Sequence, residues 1–115
     1  MKIYGIPNCD TVKKALDWLK ANHVDYEFHD FKKLGISAGK LHEWEIRAGY
    51  EKFLNRKSAT FKGLDPEVRD NITNSAAAIE LLQEKTSIIK RPVIENGNFL
   101  FFGFDAEVYS RELLK

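Results

Sequence analysis

Cysteine is almost absent from this sequence: its 115 residues include one, Cys9. A single cysteine cannot form a disulfide within the chain, which excludes a small secreted scaffold held together by disulfide bonds and fits a reducing compartment. The histidines His23, His29 and His42 lack the spacing of metal ligands, and no second cysteine joins them. We therefore expect no metal site and no bound cofactor. Cys9 itself is either a small buried side chain or a reactive thiol.

An excess of charge and a long apolar run are also missing. Lysine and arginine total 18 against 17 acidic residues, for a net charge of +1, so no overall field attracts nucleic acid or an anionic membrane. No apolar run approaches the roughly 20 residues that span a bilayer, and the N-terminus has none of the regions of a signal peptide. We expect a cytoplasmic protein with neither a nucleic-acid nor a membrane partner. The 43% apolar content suits one domain over residues 1–115.

The first part of the chain predicts a strand, a helix and a second strand. Residues 2–5 favour a short strand, residues 7–8 break it, and an amphipathic helical pattern follows over residues 9–22. Residues 24–28 alternate apolar and polar, as a strand does. Such a βαβ unit is right-handed with parallel strands, and ligands bind at the carboxyl ends of its strands. The turn that carries Cys9 lies at that end of the first strand.

The middle of the chain predicts a helical insertion over about residues 37–85. Its helices are expected at residues 37–48, 50–54 and 75–85, with a further one opened by Asp65-Pro66 and a loop at 55–63.

The last part of the chain predicts an antiparallel hairpin and a final helix. Residues 92–95 and 98–102 favour strands, and Asn96-Gly97 between them readily adopts the positive φ angles of a tight turn. Asp105 is placed to cap the final helix. The fold class is therefore α/β, with βαβ…ββα order and a mixed four-stranded sheet.

Two residues of this pattern can carry chemistry. Cys9 stands at the start of the first helix, where unpaired amides and the helix dipole favour a thiolate or a bound oxyanion, although the charge of Asp10 opposes this. Arg91 precedes Pro92 at the start of the third strand, and the proline indicates a fixed turn in which a cis bond is an option. The fold can bring Arg91 beside Cys9, where its planar fork would hold a sulfur or an oxyanion. The alternative is a solvated arginine at a strand edge.

Three segments together make the chain similar to the ArsC/Spx/YffB-type family, and closest to its YffB-type branch. They are IYGIPNCDTVKKA at residues 3–15, RPV at 91–93 and GFD at 103–105. The resemblance covers nearly the whole chain. It implies a thioredoxin-like fold with a helical insertion, a cysteine nucleophile at Cys9, and an arginine at Arg91 that binds the oxyanion or favours the thiolate.

The resemblance also implies a substrate and a binding set. Reductases of the family commonly use glutathione as the thiol donor, so glutathione is the expected co-substrate, with a small thiol or oxyanion as substrate. The residues expected to line the substrate and glutathione site are Asn8, Asp10, Thr11, Pro92 and a basic residue that is either Arg56 or Lys57.

The sequence departs from the patterns of two branches of the family. Glutathione-coupled arsenate reductases carry a histidine where Gly5 stands and a last arginine where Gly103 and Phe104 lie, so oxyanion binding is expected to be poorer here. Spx-type regulators often have a second cysteine where Val12 stands, so an internal disulfide switch is impossible.

We therefore expect a glutathione-dependent thiol/disulfide oxidoreductase with a single cysteine nucleophile. Two alternatives remain open: an arsenate reductase proper, and a non-enzymatic Spx-like regulatory adaptor that binds a protein partner.

Overall fold

The computed structural model describes residues 1–114 and divides the chain into two compact units. The sheet unit comprises Met1–Leu34 and the residues from Arg91 onward, and the helical unit comprises Gly35–Lys90. In chain order the elements are β1 (Lys2–Gly5), α1 (Asp10–Ala21), β2 (Glu27–Asp30), α2 (Phe31–Leu34), α3 (Ala38–Ala48), α4 (Ala59–Lys62), α5 (Pro66–Asp70), α6 (Ser75–Glu84), β3 (Val93–Asn96), β4 (Phe99–Phe102) and α7 (Ala106–Leu113), with short 3₁₀ helices at Tyr50–Lys52 and Thr86–Ile88.

The sheet unit is built on four strands in the order β2-β1-β3-β4. β1 pairs with β2 in parallel, with Ile3 opposite Phe28, and the other two pairings are antiparallel. This arrangement confirms the predicted mixed sheet and the βαβ…ββα order. Among the described residues, no helix is long and apolar enough to cross a membrane.

One face of the sheet carries the core of this unit. Ile3 and Ile94 pack there with Ala15 and Leu19 of α1 and with Tyr109 of α7, and all five are fully buried. Each large apolar side chain buried in this way stabilises the fold by about 1.5–3 kcal/mol relative to leaving it exposed. The core therefore fixes α1, and with it the residue that precedes α1, against the sheet.

The helical unit has its own core of aromatic and aliphatic side chains. Trp44 of α3 is fully buried, and its ring meets that of Phe53 edge-on at 6.0 Å. The segment after α6 returns alongside Phe53, because the Lys90 amide donates to the Phe53 carbonyl at 2.8 Å. Leu82 and Ile88 complete this core from α6 and from the 3₁₀ turn that follows it.

The predicted second strand was placed too early. β2 is Glu27–Asp30, because residues 22–24 end α1 in a Schellman motif. His23 adopts a φ of 57°, its amide donates to the Lys20 carbonyl, and the Val24 amide donates to the Leu19 carbonyl. Val24 therefore caps a helix instead of starting a strand.

Two other boundaries in the prediction were wrong. Residues 55–63 were expected to be a loop but contain α4, which begins where the Ser58 hydroxyl accepts a hydrogen bond from the Phe61 amide at 3.1 Å. The hairpin turn is Gly97-Asn98 and not Asn96-Gly97, because Asn96 pairs with Phe99. Gly97 has a φ of 60° and the following residue does not have a positive φ, as in a type II′ turn.

Candidate functional site

Cys9 is the N-cap residue of α1, a helix of twelve residues. Its backbone is extended, its carbonyl accepts the first helical hydrogen bond from the Lys13 amide at 3.0 Å, and its side chain makes no capping hydrogen bond. The amides of the first turn therefore receive no side-chain acceptor from the cap position, and the helix dipole is directed at this end. The residue as a whole is half-buried.

Strand pairing brings the chain around Arg91 to the same end of the sheet as Cys9. Tyr4 near the carboxyl end of β1 lies opposite Val93 at the start of the antiparallel β3. Arg91 precedes Val93 by two residues, and Cys9 follows Tyr4 by five. Arg91 is half-buried, its Nε is shielded from solvent, and its bond to the buried Pro92 is cis.

A third segment, around Gly103, reaches this end from β4. The Gly103 amide donates to the Pro92 carbonyl at 2.7 Å, and its carbonyl accepts a hydrogen bond from the Tyr109 hydroxyl at 2.7 Å. Burial raises the pKa of the Tyr109 phenol, and the nearby charge of Asp105 acts in the same direction. Gly103 has a φ of 104°, which side chains rarely adopt, so this position favours glycine over arginine.

Gly5 and Val12 pack directly against each other at the base of this turn. A Cβ atom on Gly5 would lie 2.8 Å from Val12 Cγ2 and 3.2 Å from Val12 Cγ1, and Val12 is fully buried. Any side chain at position 5 would therefore need Val12 to move. The chain departs from the branches of the family at Gly5 and at Val12, and the direct contact between these two residues links the two departures.

Three other residues predicted to line the substrate and glutathione site are neighbours of Cys9 in the sequence. Asn8, Asp10 and Thr11 are exposed, and Asp10 is the first residue of α1. The sequence did not single out Asp30, which ends β2 opposite Gly5 and so lies at the same end of the sheet. The sequence feature that could have identified Asp30 is its position as a carboxylate after the predicted strand parallel to β1. The described residues contain no cluster of three groups that could hold a metal ion.

Arg56 and Lys57 belong to the helical unit. Arg56 Nη2 donates to Glu51 Oε1 at 2.6 Å and to the Ile72 carbonyl at 3.2 Å, and the guanidinium lies 5.6 Å from the centre of the Phe61 ring. The hydrogen bond from Arg56 lowers the pKa of Glu51. The Lys57 side chain is exposed. The assignment of either residue to a site with Cys9 stays a prediction.

Comparison with known proteins gives the family. The sequence pattern of the ArsC family matches residues 4–111. The chain belongs to the ArsC family. A solved structure named YffB protein is 41% identical, covers 97% of each chain and superposes with a TM-score of 0.92, which supports the thioredoxin-like ArsC fold.

Other relatives of this ArsC-family protein carry names of two kinds. An arsenate reductase (ArsC) related protein from Brucella melitensis is 42% identical, over 97% of this chain and 92% of that one, with a TM-score of 0.76. Regulatory protein MgsR of Bacillus subtilis is 26% identical, over 91% of this chain and 83% of its own length. The comparisons therefore support relatedness to arsenate reductases, and the chain is also similar to a protein named as a regulator.

Proposed function

We propose that this ArsC-family protein is a glutathione-dependent thiol/disulfide oxidoreductase that acts in the cytoplasm with Cys9 as its nucleophile. The observation that carries the proposal is the position of the chain's single cysteine, which is half-buried, at the uncapped start of α1. Helix amides and a nearby cation are the features that turn a thiol into a thiolate, which is the nucleophilic form.

The reaction takes two exchange steps. In the first, the Cys9 thiolate attacks the glutathionyl sulfur of a mixed disulfide, a new S–S bond forms, and the substrate sulfur leaves as a thiolate that takes a proton from water. In the second, the thiolate of free glutathione attacks the glutathionyl sulfur on Cys9. Oxidised glutathione leaves, and the Cys9 thiolate is restored. Glutathione supplies both electrons, so the chain needs no second cysteine.

Arg91 has the role of stabilising negative charge on the reacting sulfurs. A guanidinium is a planar cation that can bind two acceptor atoms at once. Strand pairing joins β3 to β1 at the end of the sheet where α1 begins, which supports this role. Asn8, Thr11 and Pro92 are proposed to line the glutathione site beside it.

Turnover of a glutathione mixed disulfide, coupled to NADPH consumption by glutathione reductase, tests the proposal. We expect Cys9→Ser to reduce the turnover rate to the rate of the uncatalysed reaction, measured without the protein. We expect Arg91→Ala to reduce kcat/KM about tenfold to a hundredfold, the range for a hydrogen bond to a charged group. Arg111→Ala is the matched control, since Arg111 is an exposed arginine of α7 in the same unit. Undiminished turnover in Cys9→Ser would contradict the mechanism.

Two other functions follow from the relatives, and each predicts a different result. Arsenate reduction predicts glutathione-dependent turnover of arsenate, which the glycines at positions 5 and 103 disfavour because they supply no oxyanion-binding side chain. A regulatory adaptor, suggested by the similarity to MgsR, predicts a partner that is captured equally by wild type and Cys9→Ser without any thiol turnover.

A further inference from the structure

A small apolar groove lies between α5 and α6 of the helical unit, far in sequence from Cys9. Its apolar lining comes from Val68, Ile72, Ala77 and Leu81, and two carboxylates of α6, Glu80 and Glu84, line it as well. Its volume is about 220 Å³. Val68 is 46% exposed, so part of this apolar surface is open to solvent.

The two carboxylates stand in positions that are unfavourable within the helix. Glu80 and Glu84 are four residues apart, where like charges repel. Glu84 is the last residue of α6, where the helix dipole disfavours a negative charge, and the last turn contains no basic residue. Among residues 1–114 neither carboxylate has an ion pair, although Lys85 follows Glu84 directly.

The basic residue of α5 does not neutralise the groove. Arg69 lines a different cleft, where its guanidinium contacts Asp70 Oδ1 at 3.6 Å and the Lys62 carbonyl at 3.4 Å. The only other polar side chain of the lining, Asn71, donates to the Glu67 carbonyl at 2.6 Å. The groove thus combines an apolar floor with uncompensated negative charge.

We propose that the α5–α6 groove binds a cationic amphipathic helix of a partner protein, with one apolar side chain seated on Val68 and Leu81 and flanking lysines or arginines paired with Glu80 and Glu84. The volume falls below the roughly 300–1,000 Å³ of small-molecule sites, and it suits a single side chain. Helix-in-groove recognition seats apolar side chains of an amphipathic helix in a groove of this kind. The carboxylates repel phosphate, which disfavours nucleic acids and anionic membranes.

Fluorescence anisotropy with a labelled synthetic peptide tests the groove on the full-length chain. The probe is an alanine-based helical peptide with one leucine flanked by two lysines one turn apart. We expect saturable binding that weakens with added salt and that is lost when the leucine is replaced by alanine or the lysines by glutamates.

Protein variants locate the binding site. Glu80→Gln with Glu84→Gln is expected to weaken binding about threefold to tenfold, as two exposed ion pairs would. Asp17→Asn with Glu107→Gln changes the net charge equally in the sheet unit and is expected to leave binding unchanged. Circular dichroism confirms that each variant is folded. Val68→Ser is expected to weaken binding without altering its salt dependence.

Three results would overturn the proposal. One is equal affinity of wild type and the Glu80/Glu84 variant for the peptide, and another is equal affinity for the leucine and alanine peptides. The third is concentration-dependent self-association, seen by light scattering, that the Glu80/Glu84 variant abolishes, because the occupant would then be a second copy of this chain. The thiol assay is unaffected by any of these outcomes, so the two proposals stand or fall separately.

Discussion

Replacing Gly5 by alanine tests the packing beneath the Cys9 turn. The added Cβ would lie 2.8 Å from one Val12 methyl and 3.2 Å from the other. Val12 is fully buried and β-branched, so its side chain has no second rotamer of comparable energy inside a helix. We expect Gly5→Ala to lower the free energy of unfolding by about 1–3 kcal/mol, the usual cost of an overpacked core.

A double-mutant cycle that combines Gly5→Ala with Val12→Ala isolates the contact between the two residues. Val12→Ala alone removes two methyl groups, at about 0.8 kcal/mol each for lost burial plus the cost of the cavity, so we expect a loss of about 2 kcal/mol. In the double variant, the alanine methyl at position 5 fills part of that cavity. The combined loss should therefore be smaller than the sum of the single losses by about 1 kcal/mol or more.

Urea unfolding measures the free energy of unfolding of all four proteins of the cycle. The comparison requires that the m-value is the same in each of them. Gly39→Ala is the control, because a Cβ there would meet nothing nearer than Ser37 Oγ at 3.9 Å within α3. It should raise stability by about 0.5–1 kcal/mol through helix propensity. A stabilising Gly5→Ala, or single losses that simply add, would refute the argument that Val12 forces glycine at position 5.

Two further predictions concern side-chain hydrogen bonds. Tyr109→Phe should cost about 1 kcal/mol, because the Gly103 carbonyl loses its donor. Burial raises the pKa of Tyr109, so wild type should lose stability above the ordinary tyrosine pKa of about 10, and unfolding at alkaline pH should show a smaller loss in the variant. Glu51→Gln should cost less than about 1 kcal/mol at neutral pH, because the Arg56 pair is largely exposed. The bond to Arg56 lowers the pKa of Glu51, so this cost should disappear as pH falls through that lowered value, and a persistent difference in acid would contradict the pair's role.

The sequence predicted the elements whose signals are local and consistent. Ser37 and Asp65 accept capping hydrogen bonds at the helix starts expected for them, and Asp105 does the same for α7. These side chains act on amides two or three residues away, so their effect can be read from spacing alone. The start of β2 depended instead on His23 in a left-handed conformation after α1, which histidine adopts too seldom for the sequence to indicate it.

The hairpin register shows why a local turn signal can fail. Asn-Gly favours a turn with both residues at positive φ, but the chain places Gly97 first and Asn98 second. The pairing keeps Ile94 opposite Phe101, and Ile94 belongs to the core of the sheet unit. A turn at Asn96-Gly97 would place Ile94 opposite Phe99, a shift of two residues that leaves every side chain on the same face of the sheet. Both registers therefore bury the same face, and the preference of the dipeptide did not decide between them.

Part of the candidate site could also be predicted from the sequence. Order along the chain was sufficient to put Cys9 at the carboxyl end of β1, because the turn that carries it directly follows that strand. Asp30 escaped notice because the predicted second strand ended at residue 28, so its pairing opposite Gly5 was hidden. Arg56 was expected to be available as a cation, but the sequence could not show that Glu51 and the Ile72 carbonyl, sixteen residues away, both bond to it.

The arrangement around Cys9 explains why an external thiol is the natural partner in the proposed reaction. Val12 fills the position one turn into α1 where a second cysteine would resolve an adduct internally, and it also excludes a side chain at Gly5. Gly103 is held at positive φ between two hydrogen bonds, so position 103 contributes backbone and no charged side chain. A mixed disulfide formed on Cys9 therefore meets no second thiol of its own chain. Its resolution must come from solution, and glutathione is the abundant intracellular thiol that can supply it.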